Sequence, residues 1–307
     1  MIATAILLAI GAVIVLSFLK KKKGHGISLL VPFHCPDRHN HRAKSWRWLE
    51  HYWREQLPGA EIVIGEDPTV WLHPKTPFSK SIAVNDAAAK AKGDIFCIVD
   101  ADGYISADAV LHCAREIREA RKQSRRLWFV PYRHFFRLTE EASQLVLQSE
   151  VSDPYVFPMP PPLDALQKTT GAQQGHWFGA GIQIMPREAF EEVGGWDPRF
   201  RGWGGEDHAA MRAMDTLYWR HQTLNQQFLH IWHPMLSPTG TDIWVDWRQR
   251  MWENQANAGA NDELSGRYYH AQNDPVLMRK LVNEGIEYGL TELLKWWRTP
   301  PVCQGSV

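Results

Sequence analysis

The chain has 307 residues, of which 44% are hydrophobic and 22% charged, a balance that excludes a disordered or collagen-like polymer and allows one large domain or two small ones. Lys plus Arg equals Asp plus Glu at 34 each, so there is no overall basic field to hold nucleic acid. Setting aside the four lysines Lys20 to Lys23 leaves 30 basic against 34 acidic residues, an acidic body beside a small basic collar.

Ile2 to Leu19 is an uncharged, almost wholly apolar run of 18 residues. As a helix it would span about 27 Å, just enough to cross a hydrocarbon layer of about 30 Å. No basic residue precedes it and no small-x-small cleavage pattern follows, so it reads as an anchor rather than a cleaved leader. The lysines come after the run, and the positive-inside rule then puts the amino terminus outside and the large domain in the cytoplasm. The expectation is a single-pass membrane protein with an anchor and basic flank over 1–23 and a folded domain over 24–307.

Beyond the anchor the pattern alternates between strands and helices. Ile27 to Val31 is a buried strand ended by Pro32, and Arg42 to Gln56 is a helix stopped by Pro58-Gly59. Glu61 to Gly65 is a second strand leading into Glu66-Asp67. Ser79 to Lys92 is an alanine-rich helix capped near Ser79, with Gly93 beyond its end. Asp94 to Val99 is a third strand running into Asp100-Ala101-Asp102, and Ser106 caps a helix with Val110, Ala114 and Ile117 on one face. Leu127 to Val130 reads as another strand, Pro154 to Pro162 as a proline-rich loop, and Ile182 to Met185 as a strand before a short helix opened by Pro186 and closed by Gly194. Trp244, Trp247, Trp252, Trp296 and Trp297 fall on helices near the end, as an acceptor platform or as core packing. This alternation implies a mainly parallel twisted sheet flanked by helices, with ligands at the carboxyl ends of the strands, where both acidic pairs fall.

The four cysteines, Cys35, Cys97, Cys113 and Cys303, are scattered, which argues against a disulfide framework or a structural zinc site and fits a reducing compartment. Three clusters can carry chemistry. Asp100 and Asp102, just past a strand, can hold a hard divalent cation, although acidic turns in that position are common without one. Asp197 to Asp207 (DPRFRGWGGED) sets Trp203 between glycines before two acids; a helix-capping turn explains Asp207 but leaves Trp203 unexplained. His230 and His233, three apart, can reach one metal or serve a structural role.

Taken together these segments resemble the GT-A glycosyltransferases (nucleotide-diphospho-sugar transferases) of the family 2 type, in particular the β-1,4-galactosyltransferase and chondroitin-polymerase-like group. The resemblance covers about Ile27 to Pro234. Phe78-Ser79-Lys80-Ser81 with Asn85 is similar to a Phe-Asn-Arg-Ala-(x)3-Asn segment, Asp100-Ala101-Asp102 to Asp-x-Asp, and Trp177-Phe178-Gly179-Ala180 to Tyr-Phe-Gly-Gly. Gly202 to Asp207 repeats Gly-Trp-Gly-Gly-Glu-Asp without change, and His230-x-x-His233 is similar to Met-x-x-His.

The resemblance implies a hexosyltransferase that moves a hexose or N-acetylhexosamine from a UDP-sugar to an acceptor hydroxyl with inversion. Its nucleotide-sugar half would run over about 27–130 and its acceptor and metal half over about 131–300. Asp102 and His233 would ligate Mn²⁺ (or Mg²⁺), with His230 where relatives often have Met. Asp100 would contact the ribose or groups around the metal, Pro32 and Asp67 would line the uracil pocket, and Lys80 would sit near the diphosphate. Asn85, Trp177 and Gly179 fall on donor-binding motifs, Trp203 and Glu206 would grip the sugars, and Asp207 would be the catalytic base. Trp177 in place of Tyr leaves the donor sugar open, and Lys80 in place of Arg keeps the charge but loses the bidentate geometry. The expected partners are the nucleotide-sugar, a glycan, glycolipid or protein acceptor and the membrane, with no nucleic acid. Two alternatives stand beside this reading: a catalytically weak glycan-binding protein that keeps the fold, and a sugar nucleotidyltransferase. The second calls for a glycine- and lysine-rich triphosphate loop that residues 32 to 42 lack.

Overall fold

The computed structural model describes residues 26–35, 39–72, 77–167, 179–202, 204–234 and 255–298. The expected anchor lies outside the described residues, as do Trp177, Trp203, Trp244, Trp247, Trp252 and Cys303. Among the described residues no helix is long and apolar enough to cross a membrane.

Two strands with unbroken apolar character form the centre of the fold. β1 (Ile27–Pro32) and β3 (Ile95–Val99) are buried at every position, as strands covered on both faces must be. β1 pairs in parallel with both β2 (Glu61–Gly65) and β3. β6 (Ile182–Pro186) enters beside the end of β3, Val99 facing Ile182, and therefore runs antiparallel at the edge of the order β2-β1-β3-β6. The expectation of a mainly parallel sheet thus holds for three of the four strands in this sheet. A second sheet has the order β4-β7-β5, built from β4 (Gly103–Tyr104), β5 (His134–Arg137) and β7 (Gln227–His230).

The helices start where their caps predict. Asn40 accepts from Ala43 N to open α1 (His41–Gln56), which buries Trp46, Leu49, Tyr52 and Trp53. A short α2 (Thr69–Leu72) follows β2, and Ser79, whose hydroxyl accepts from Ile82 N, opens α3 (Lys80–Lys90). α4 (Ala107–Lys122), α5 (Glu140–Leu147), α6 (Arg187–Val193), α7 (Glu206–Leu217), α8 (Gln255–Ala271) and α9 (Pro275–Arg298) complete the helical part, with a 3-10 turn at Leu163–Ala165. Leu127 to Val130 is not a strand. Phe129 exchanges both backbone bonds with Ile184, while Trp128 O and Val130 N bond Gln222, so the segment stitches β6 to the approach to β7.

One close approach places the start of α3. The sequence of α3 buries Ala83, Val84, Ala87 and Ala88, and the helix lies so near β2 that a Cβ on Gly65 would stand 1.9 Å from the Ala83 carbonyl oxygen. The contact is backbone to backbone, so it cannot be relieved by a rotamer change. Gly65→Ala is expected to lower unfolding free energy by about 1–3 kcal/mol in urea titration, by pushing α3 off the sheet.

Candidate active site

The acid turn after β3 is pinned from two sides. Asp100 N donates to Gly181 O at 2.9 Å, and Ile231 N donates to Asp102 O at 2.6 Å. Between these bonds, Gly103 of β4 faces His230 of β7 across an antiparallel pair. Only glycine fits at 103, because a Cβ would lie 2.5 Å from the Phe228 ring. This pairing brings Asp102 Oδ1 to 3.5 Å from His230 Nε2 and Asp102 Oδ2 to 3.2 Å from His233 Nε2. One ligand atom from each of the three residues lies within 4.8 Å of the others.

The hydrogen bonds of His233 test whether this group fits a cation. Its Nδ1 is 3.0 Å from Pro234 O, an acceptor, so Nδ1 carries the proton and Nε2 presents a lone pair. Arg42 Nη2 donates to that same Nε2 at 3.3 Å, and it also reaches Asp102 Oδ2 at 3.4 Å. A lone pair and a carboxylate oxygen 3.2 Å apart repel unless a cation joins them, and here the guanidinium does so. His230 Nδ1 is buried with no hydrogen-bond partner among the described residues. Burial keeps the His230 pKa well below its ordinary value, Asp102 opposing and Arg137 adding to the effect, so the ring is neutral, the form that binds metal. Burial works against ionisation of Asp102, but His230, His233 and Arg42 outweigh it and hold the carboxyl well below the usual range. One carboxylate and two neutral imidazoles suit a first-row transition dication.

The second half of the site is centred on Lys80. Its Nζ is 2.6 Å from Asp100 Oδ1, 2.7 Å from Asp207 Oδ1 and 3.9 Å from Glu206 Oε1. It also lies 5.5 Å from the centre of the Trp196 ring. Glu206 and Asp207 open α7 after Gly205, whose φ of +86° turns the chain into the helix. Gln183 Nε2 donates to both Gly179 O and Asp207 O, tying α7 to β6. Burial opposes the charge on Lys80, but Asp100, Asp207 and Glu206 raise its pKa well above the ordinary value. Burial, with Asp207 and Asp102 adding and Lys80 opposing, pushes Asp100 up to about 7. Burial and then Asp207, with Lys80 opposing, push Glu206 up to about 8.

Pro32, Asp67, Asn85 and Gly179 have the following neighbours, while Trp177 and Trp203 lie outside the described residues. Pro32 ends β1 opposite Gly65. Asp67 is buried and fully engaged, accepting from Thr69 N, Thr69 Oγ1, Ser79 N and Arg201 Nη1. Asn85 exchanges two bonds with the Trp196 backbone, Nδ2 to O at 2.7 Å and N to Oδ1 at 2.9 Å. Gly179 lies against Asp207 O and Met211. Sequence reasoning passed over Arg42 and Arg137, because neither belongs to a local motif and each reaches its place only through the fold, and it gave no role to Arg201 within the Asp197 to Asp207 stretch.

Residues 64–194 match the model of glycosyl transferase family 2, and residues 167–229 match the N-terminal domain of galactosyltransferase. Over these two segments the chain is similar to glycosyltransferases, and its architecture is mixed α/β. No curated relative matches it. Among solved structures it is similar to the catalytic domain of Drosophila β1,4-galactosyltransferase 7 with xylobiose, at 17% identity and a TM-score of 0.37 over 68% of this chain and 72% of that one. Glucosyl-3-phosphoglycerate synthase from Mycobacterium tuberculosis, solved with Mn²⁺, UDP and glucosyl-3-phosphoglycerate, is similar at 16% identity and a TM-score of 0.37 over 78% of this chain and 82% of that one.

Glu206 gives this site a stability signature. Its pKa rises from 4.5 to about 8 on folding, so the folded protein holds the proton more tightly than the unfolded chain. Its contribution to stability therefore falls as pH rises from about 4.5 to about 8 and is constant above that. Glu206→Gln is expected to stabilise the metal-free protein by about 1–3 kcal/mol at pH 8 and by almost nothing at pH 4.5, read from denaturant curves at the two pH values.

Proposed function

We propose that this glycosyltransferase is membrane-anchored, metal-dependent and inverting, and moves a hexose or N-acetylhexosamine from a UDP-sugar to a hydroxyl of a glycan, glycolipid or protein acceptor. One observation carries the reading: three metal-ligand atoms from Asp102, His230 and His233 converge, and the other acid of the same turn, Asp100, shares Lys80 with the carboxylate Asp207, which is salt-bridged on one oxygen. Asp102, His230 and His233 would hold the cation, and their two nitrogen donors favour Mn²⁺ over Mg²⁺, which prefers oxygen. When bound, such an ion supplies Lewis-acid stabilisation of the charge that develops on a departing diphosphate.

The chain's own side chains do the rest. Lys80 holds Asp207 by Oδ1, and among the described residues Oδ2 takes no hydrogen bond, so it is free to accept the proton of an acceptor hydroxyl. Glu206, protonated at neutral pH because its pKa lies near 8, can donate a hydrogen bond to a sugar oxygen. Asp207 as the single assigned base favours direct attack from the face opposite the leaving group, hence inversion. The match to the family 2 model and the Asp-x-Asp turn support a nucleotide-sugar donor, its nucleotide half over about 27–130 and its acceptor and metal half over about 131–300. The apolar run Ile2 to Leu19 followed by Lys20 to Lys23 supports a single-pass anchor with the domain on the cytoplasmic side, where nucleotide-sugars are made.

A panel of UDP-sugars assayed for Mn²⁺-dependent UDP release tests the reading and selects the donor; no release from any member rejects it. Asp207→Asn is expected to lower transfer about 10²–10⁴-fold while UDP and Mn²⁺ still bind, and near-normal turnover would remove Asp207 as the base. His233→Ala is expected to weaken Mn²⁺ binding at least about tenfold in spin-resonance titration, and unchanged affinity would show that the metal lies elsewhere.

A further inference from the structure

We infer that Arg42 and Arg137 form the seat for the donor's diphosphate, on the histidine side of Asp102 and away from Lys80. The inference rests on the nucleotide-sugar reading above and names the groups that would bind the phosphates.

Lys80 is already saturated. Asp100 and Asp207 hold it at 2.6 and 2.7 Å and Glu206 stands at 3.9 Å, so a phosphate arriving there would meet an ammonium already engaged by side-chain oxygens and ringed by three acidic residues. The histidine side has the opposite balance. Arg42, in the first turn of α1, has a side chain 39% exposed that touches Asp102 Oδ2 and His233 Nε2, while its buried Nε has no hydrogen-bond partner among the described residues. Those two contacts are to the atoms a metal would take, so metal loading leaves this guanidinium in need of another anion.

Arg137 ends β5, where the parallel register sets it beside His230. Paired residues of neighbouring strands project from the same face of a sheet, as Phe135 and Phe228 do two positions earlier with rings 5.2 Å apart. Arg137 therefore shares the face of His230, which is turned to Asp102. Its guanidinium lies 5.6 Å from the centre of the Phe135 ring and makes no ion pair among the described residues. With a dication on Asp102 and the neutral imidazoles, the two arginines would leave this side with three surplus positive charges. A doubly charged diphosphate is the part of a nucleotide-sugar that offsets them, and two guanidinium forks suit its oxygens.

The test is calorimetric titration of the full chain, with Mn²⁺ present, against UDP and inorganic pyrophosphate, together with spin-resonance titration of Mn²⁺ alone. Arg42→Gln and Arg137→Gln are each expected to weaken both UDP and pyrophosphate about tenfold or more, with Arg42→Lys and Arg137→Lys losing less. Mn²⁺ binding without nucleotide is expected to be unchanged in Arg137→Gln and unchanged or tighter in Arg42→Gln, which a merely unfolded variant would not show. A double Gln variant that keeps Mn²⁺ binding and binds UDP and pyrophosphate within about twofold of wild type overturns the seat and leaves the nucleotide reading intact. Wild-type protein that binds Mn²⁺ but neither UDP nor pyrophosphate overturns both.

Discussion

The candidate site depends on a pairing of two residues. Gly103 and Tyr104 form the shortest strand among the described residues, yet their ladder with Leu229 and His230 joins the acid turn of the first sheet to the histidine end of the second. The Phe228 ring fills the space where a side chain at 103 would be, so the approach depends on a missing Cβ. Without this contact Asp102 and the histidines would belong to separate sheets. With it, residues more than a hundred positions apart present their lone pairs to one point.

Two acids one residue apart then acquire opposite characters from what faces them. Asp102 looks toward neutral imidazoles and a guanidinium and is held ionised. Asp100 looks toward Lys80 and two further carboxylates and holds its proton up to about pH 7. The same spacing read as a sequence motif treats them as a pair, whereas the fold turns one to two histidines and a guanidinium and the other to an ammonium. Environment, rather than residue type, divides their roles.

How much was legible in the sequence follows from the same physics. β1, β2 and β3 and the helices α1, α3, α4 and α6 announce themselves through unbroken apolar runs or capped periodic ones. β5 and β7 do not, because His-Phe-Phe-Arg and Gln-Phe-Leu-His are too short to show a period and carry polar ends that serve the site. Leu127 to Val130 has strand composition but bonds alternately to two different partners, which no local pattern encodes. Asp102, His230, His233, Lys80, Glu206 and Asp207 were readable as candidates because they sit in short motifs. Arg42 and Arg137 were not, since an arginine in a helix's first turn or at a strand's end is ordinary until the fold turns it toward a carboxylate.

The side-chain amide of Asn85 has a consequence for how this enzyme could diversify. By bonding both the N–H and the carbonyl of Trp196 it imitates a strand neighbour, stitching α3 to the segment that leads into α7. Lys80 is thus carried on a helix braced to the segment that leads toward α7, with the Gln183 bond to Asp207 O as a second tie. On the reading proposed above, segments that would meet an acceptor can vary while this brace is kept. A scaffold of that kind keeps its chemistry constant and leaves its choice of partner open to change.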